Sequence, residues 1–92
     1  MIGSFKHKGL KQLFEDGNPR GVNPEHVRKV RQILATLNEA TRIEGMNLPS
    51  FRLHPLAGNP GGLWSVTVRA NWRIVFAFEN GIADDVDLID YH

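Results

Sequence analysis

Apolar residues recur at every second position in two neighbouring runs, Trp64, Val66 and Val68, then Trp72, Ile74, Phe76 and Phe78. Such alternation marks strands that each bury one face, and the short gap between the runs makes the pair a hairpin. A slip of one residue would turn a whole strand over, so keeping both apolar sets on one face fixes the register. That condition predicts a three-residue loop, Arg69-Ala70-Asn71, ending on Asn71 because Asn tolerates the left-handed conformation. Val68 then faces Trp72, Val66 faces Ile74, and Trp64 faces Phe76. On the reverse side Thr67 lies beside Arg73 and Ser65 beside Val75. That second side is polar where the first is not.

The rest of the chain supplies elements to cover the apolar side. Met1–Lys6 reads as a short opening strand. Residues 7–16 place Leu10, Leu13 and Phe14 on one helical face, and Gly17 followed by Asn18-Pro19 stops that helix. A second helix is expected from a cap at Asn23, with Pro24 in its first position, to about residue 40. Its stripe of Val27, Val30, Ile33, Leu34, Leu37 and Ala40 follows the 3.6-residue period, leaving Arg28, Lys29, Arg31 and Gln32 outside. After a connector over 41–50, Phe51–Leu56 is expected as a strand with Phe51 and Leu53 inward and Arg52 and His54 outward. Counting back across the Gly/Pro turn of residues 57–62 pairs His54 with Ser65 and Arg52 with Thr67. A second three-residue loop, Glu79-Asn80-Gly81, sets Val86 opposite Ile74, Leu88 opposite Trp72 and Asp87 beside Arg73. It also drives Asp84 onto the apolar side opposite Phe76, a position it tolerates only at an open end. The expected fold is α+β: two N-terminal helices packed on one face of a twisted, mainly antiparallel sheet.

Composition narrows the function. At 92 residues and 41% hydrophobic the chain reads as one domain, 1–92, with a modest core. The absence of cysteine removes disulfides, thiol catalysis and cysteine-rich zinc sites together. Residues 1–20 hold no long apolar run, so a cytoplasmic protein without membrane association is expected. The net charge of +1 hides an asymmetry: residues 1–56 carry nine Lys/Arg against five Asp/Glu, and residues 57–92 two against five. A basic first half is compatible with a phosphate-bearing partner.

The registers bring Arg52, His54, Ser65, Thr67, Arg73 and Asp87 to the face that the helices leave open, and the chain ends beside it in Asp90-Tyr91-His92. Strand spacing puts the backbones of His54 and Arg73 roughly 10–12 Å apart, within reach of one phosphodiester between them. Cleavage of RNA by its own 2′-hydroxyl needs a base, an acid and a cation on the phosphate, and it needs no metal or cofactor. His, Asp or Tyr supply proton transfer and Arg the charge. Blander readings stand beside this one. Arg73 opposite Asp87 also reads as a surface ion pair, and His54 as a solvated strand residue. The terminal Asp-Tyr-His also reads as a frayed tail, or with His54 as a metal site, although no helical or turn spacing clamps two ligands as zinc requires. His7 and His26 read as solvent-facing, and the basic residues of the second helix as a solvated surface.

The segments SFKHKGLKQLFE and RLHPLAGN, the hairpin WSVTVRANWRIVF and the closing DYH together resemble HigB-type plasmid-maintenance killer toxins of the RelE/ParE superfamily. The likeness runs over almost the whole chain. It implies a microbial-ribonuclease-like sheet with an open concave face, and His54, Arg73, Asp90, Tyr91 and His92 as active residues, with Arg52, Arg69 and Asn71 as RNA contacts. Arg73 would neutralise the scissile phosphate, His54 and His92 would move protons, Asp90 would orient or assist a base, and Tyr91 would stack on a base or donate to the phosphate. It further implies cleavage of mRNA in the A site of the 70S ribosome, and silencing by a helix-turn-helix, HigA-like antitoxin through which operator DNA is met. One position departs from the pattern. Where relatives carry Lys in the HPL-x-G motif, this chain has Ala57, so a cation is missing there.

Two other functions compete. A ParE-like gyrase inhibitor would bind without RNA chemistry, and the titratable residues of the terminal motif argue against it. A catalytically weak toxin acting mainly as a repressor subunit draws support from Ala57.

Overall fold

The alternating runs do form a hairpin, β2 (Leu63–Arg69) with β3 (Trp72–Glu79), in a computed structural model describing residues 1–56 and 62–91. With β1 (His54–Pro55) and β4 (Ile82–Asp90) it makes a four-stranded antiparallel sheet in the order β1-β2-β3-β4. Helices α1 (Lys8–Asp16) and α2 (Val27–Glu39) cover one face of it, as expected of the α+β class. Their buried residues, Leu10, Leu13, Val30, Ile33, Leu34 and Leu37, join Val66, Val68, Ile74, Phe76, Ala83 and Val86 of the sheet in one core. Met46, from a single 3-10 turn at Ile43–Met46, and Phe51 complete it. Among the described residues no helix is long and apolar enough to cross a membrane.

The helix ends follow from local chemistry. His7 caps α1, its imidazole Nδ1 accepting the Leu10 N–H at 3.1 Å, and Gly17 at φ 70° ends the helix where the left-handed stop was expected. Helix α2 starts at Val27, three residues later than Pro24. Asn23 takes the Glu25 N–H on its side chain and the His26 N–H on its carbonyl, which holds residues 23–26 in a tighter turn. His26 is thereby carried inward and is only 5% exposed, not solvent-facing.

Gly9 interrupts α1 for a packing reason. A Cβ there would fall on the backbone carbonyl of Gly21, and a Cβ on Gly21 would meet the Gly9 Cα. The two glycines let the helix lie directly on the chain leading to α2. Ala normally improves a helix interior over Gly by about 1 kcal/mol. Here Gly9→Ala is expected to lower stability by about 1–3 kcal/mol, because the obstacle is backbone and has no rotamer to turn aside. Denaturant unfolding of the two proteins measures it, and equal or greater stability of the variant would refute the contact.

Two strand pairings differ in detail from the sequence reading. In the β2–β3 hairpin Arg69 pairs with Trp72, the loop is Ala70-Asn71, and a bulge in β2 absorbs Val68. The left-handed residue is Ala70 (φ 50°), not Asn71. An odd residue shifts parity equally in a loop or in a bulge, so Thr67↔Arg73, Ser65↔Val75, Val66↔Ile74 and Trp64↔Phe76 are all as expected. At the other end Asn80 and Gly81, both at positive φ, form a two-residue turn between Glu79 and Ile82. A bulge then sets Asp85 and Val86 against Phe76, with Asp85 at φ 53°. The bulge resolves the misfit of Asp84: Ala83 and Val86 point into the core while Asp84 and Asp85 reach solvent. The shorter turn and the bulge each shift the register by one position, and together they move Asp87 from Arg73 to Val75 and Leu88 from Trp72 to Ile74, and place Ile89 opposite Arg73.

The opening strand expected over Met1–Lys6 is reduced to two isolated parallel bridges to β4, Ile2↔Ala83 and Phe5↔Val86. Ser4 sits on the bulge, its hydroxyl donating to Asp84 and accepting the Asp85 N–H. The strand expected over Phe51–Leu56 is reduced to His54–Pro55 because Arg52 adopts φ 49° and breaks the extended run. Single bonds still tie its flanks to β2: Thr67 N–H to the Phe51 carbonyl at 2.7 Å, and Leu56 N–H to the Leu63 carbonyl at 3.0 Å.

Candidate active site

On the sheet face away from the helices a cleft of about 350 Å³ is lined by Arg52, His54, Leu56, Ser65, Thr67, Arg73 and Tyr91. Strand pairing places four of them, His54, Ser65, Thr67 and Arg73. The ladder pairs His54 with Ser65 and Thr67 with Arg73, which lays two polar rows side by side. The left-handed turn at Arg52 breaks the edge segment while Phe51 anchors it in the core at 0% exposure. A non-glycine residue held at positive φ is a local strain that the surrounding structure must support, and such residues gather at functional sites.

Arg73 is the fixed centre. Its guanidinium donates to the Thr67 hydroxyl at 2.6 Å and to the Ala70 carbonyl at 3.3 Å, so its direction is set before any ligand arrives. Tyr91 lies beyond the last β4 pair, where the Asn71 carbonyl accepts its backbone N–H at 2.7 Å. That bond brings the phenol ring to 6.0 Å from the Arg73 Cζ, with the residue 47% exposed. Among the described residues the lining holds two arginines and a histidine and no carboxylate. A cleft so composed attracts a phosphate rather than a cation.

Not every expected residue is drawn in. Asp87 shares the open face but lies beside Val75, so the surface ion pair expected between Arg73 and Asp87 gives way to the Thr67 and Ala70 bonds. Asp90 is paired within β4 opposite Trp72, on the opposite parity from Tyr91, and is not among the lining residues. Arg69 reaches back to the turn before α2, its guanidinium 3.2 Å from the Glu25 carboxylate, and does not line the cleft. Asn71 acts through its backbone carbonyl on Tyr91. His92 and Ala57 lie outside the described residues. Leu56 is a lining residue that sequence reasoning did not single out, although it follows His54 by two positions and so shares its side of an extended segment.

Comparison with known proteins agrees with this architecture. A family model described as the RelE-like toxin of the type II toxin-antitoxin system HigB matches residues 3–92. The chain belongs to the HigB-like toxin family. A relative from Proteus vulgaris, Endoribonuclease HigB, is 50% identical over 92 residues, covering 100% of both chains. As a HigB-like toxin of a type II system, the protein has an antitoxin as its partner. Within a HigB-like toxin the cleft joins three of the residues that the family resemblance had marked as active, His54, Arg73 and Tyr91, in one polar basin.

Proposed function

We propose that this HigB-like toxin is an endoribonuclease that cuts mRNA in the A site of the 70S ribosome, in the cytoplasm, and that a HigA-like helix-turn-helix antitoxin silences it. The observation that carries the reading is the cleft in which Arg73, held by Thr67 and Ala70, shares the lining with Arg52, His54 and Tyr91. Its relative from Proteus vulgaris bears the name of an endoribonuclease.

The reaction is a transesterification. A base takes the proton of the ribose 2′-hydroxyl, the freed oxygen bonds to phosphorus, and the P–O5′ bond breaks as the departing oxygen takes a proton. The products are a 2′,3′-cyclic phosphate and a 5′-hydroxyl. Arg73 stabilises the charge that builds on the non-bridging oxygens, a contribution worth most when the donor is oriented in advance. His54 carries one proton transfer and His92 the other, Asp90 orients or assists a base, and Tyr91 stacks on a base or donates to the phosphate. Arg52, with Arg69 and Asn71 at the hairpin tip, contacts the flanking RNA. Binding to operator DNA runs through the antitoxin. No step calls for a metal or cofactor.

Incubation with ribosomes programmed with a defined A-site codon tests the whole reading. The expected result is mRNA cut at that codon, with a cyclic phosphate on the upstream fragment, and no cut in the same mRNA without ribosomes. Growth arrest with intact mRNA and inhibited gyrase would overturn it in favour of a ParE-like inhibitor. Neither cutting nor arrest would favour the weak toxin that Ala57 suggests.

A further inference from the structure

The hairpin tip carries more of the cleft than its four residues suggest. Ala70 accepts from the Arg73 guanidinium, Asn71 accepts from the Tyr91 N–H, and Trp72 pairs with Asp90. Wherever the tip goes, Arg73 and Tyr91 go with it. The tip is itself gripped from the helix side by two consecutive residues just before α2. Glu25 pairs with Arg69 at 3.2 Å, and the His26 ring packs on the Trp72 ring at 5.7 Å between centroids, tilted by 55°. Glu25 and Arg69 are largely exposed, so their pair is worth little alone. His26 is buried, and its aromatic contact is the stronger half of the grip.

We infer that His26, with Glu25 beside it, is a positioning residue for the cleft: the turn before α2 latches the hairpin tip and so fixes Arg73 and Tyr91 from the opposite side of the sheet. His26 touches no lining residue of the cleft in its stacking contact with Trp72, and its effect passes through the tip. This inference rests on the endoribonuclease reading for its kinetic consequence, but the latch itself has a separate physical signature. The Tyr91 amide is protected by a bond to the tip, and loosening the latch exposes it.

The test uses His26→Leu, which fills the buried space without a ring, and His26→Phe, which restores one. In the folded Leu variant the Tyr91 amide is expected to exchange hydrogen about tenfold faster, with central β3 amides unchanged. On programmed ribosomes kcat is expected to fall at least about tenfold with KM unchanged, since small misplacements of reacting groups cost rate. His26→Phe recovers both readouts, a recovery that a merely space-filling role does not predict. Glu25→Ala, an exposed change, is expected to move both in the same direction by a smaller factor. A folded His26→Leu with wild-type Tyr91 exchange and kcat overturns the latch. If His26→Leu does not fold, wild-type exchange and kcat in Glu25→Ala overturn it instead. Wild-type protein that cuts no mRNA would remove the endoribonuclease reading, and the exchange measurement would still decide the latch.

Discussion

Arg73→Ala is expected to abolish growth arrest and leave a folded protein. Removing a preorganised donor from a developing oxyanion costs about 10²–10³-fold in rate, and Arg73 is the cation that the fold itself orients, through Thr67 and Ala70. Its loss leaves the core intact, because Ile74 and Phe76, not Arg73, carry β3 into the apolar side. The Thr67 hydroxyl lines an open cleft and rehydrates, so the stability cost is that of ordinary hydrogen bonds, about 1 kcal/mol. Two measurements separate the effects: cleavage on programmed ribosomes and denaturant unfolding. Arg73→Lys sharpens the interpretation, since it keeps the charge and loses the planar fork. Activity between wild type and Arg73→Ala is expected for it. A folded, fully toxic Arg73→Ala would refute the role.

Side-chain parity made most of this site legible. Trp64, Val66, Ile74 and Phe76 cannot leave the core without turning a strand over, so Ser65, Thr67 and Arg73 had to share the other face, and the ladder pairs them as expected. Tyr91 followed by the same odd-numbered count from Arg73's neighbours. Bulges were hidden because they depend on single backbone conformations. Nothing in the alternation of Ala83-Asp84-Asp85-Val86 says that Asp85 will adopt φ 53°, although two adjacent carboxylates between two apolar residues are what such a bulge exposes. That residue and the two-residue turn at Asn80-Gly81 together move Asp87 two positions away from Arg73, and with it the ion pair that made the site look like an ordinary surface. His26 was legible and passed over. It precedes Val30, Ile33 and Leu37 at helical spacing and so sits on the apolar stripe, pointing inward with it. Its partner Trp72 was not legible, since a contact between a helix start and a hairpin tip depends on how the layers pack.

His54→Ala is expected to reduce cleavage by about 10²–10⁴-fold, the usual contribution of a positioned proton-transfer group, with little change in stability. His54 is exposed and lies on a two-residue edge strand whose attachment to β2 runs through backbone bonds at Phe51 and Leu56, so the alanine leaves the cleft wall in place. Arg73 remains to bind the phosphate, and the variant should therefore keep its affinity for programmed ribosomes while losing kcat. The double variant with Arg73→Ala should lose less than the product of the single losses, because groups acting on one transition state are not additive. A substrate with sulfur in place of the departing 5′-oxygen identifies the proton that His54 moves. Sulfur leaves without protonation, so full rescue of His54→Ala by that substrate makes His54 the acid, and a persistent deficit makes it the base. Wild-type kcat in folded His54→Ala with the ordinary substrate would remove His54 from the chemistry and leave the cleft as a phosphate-binding surface only.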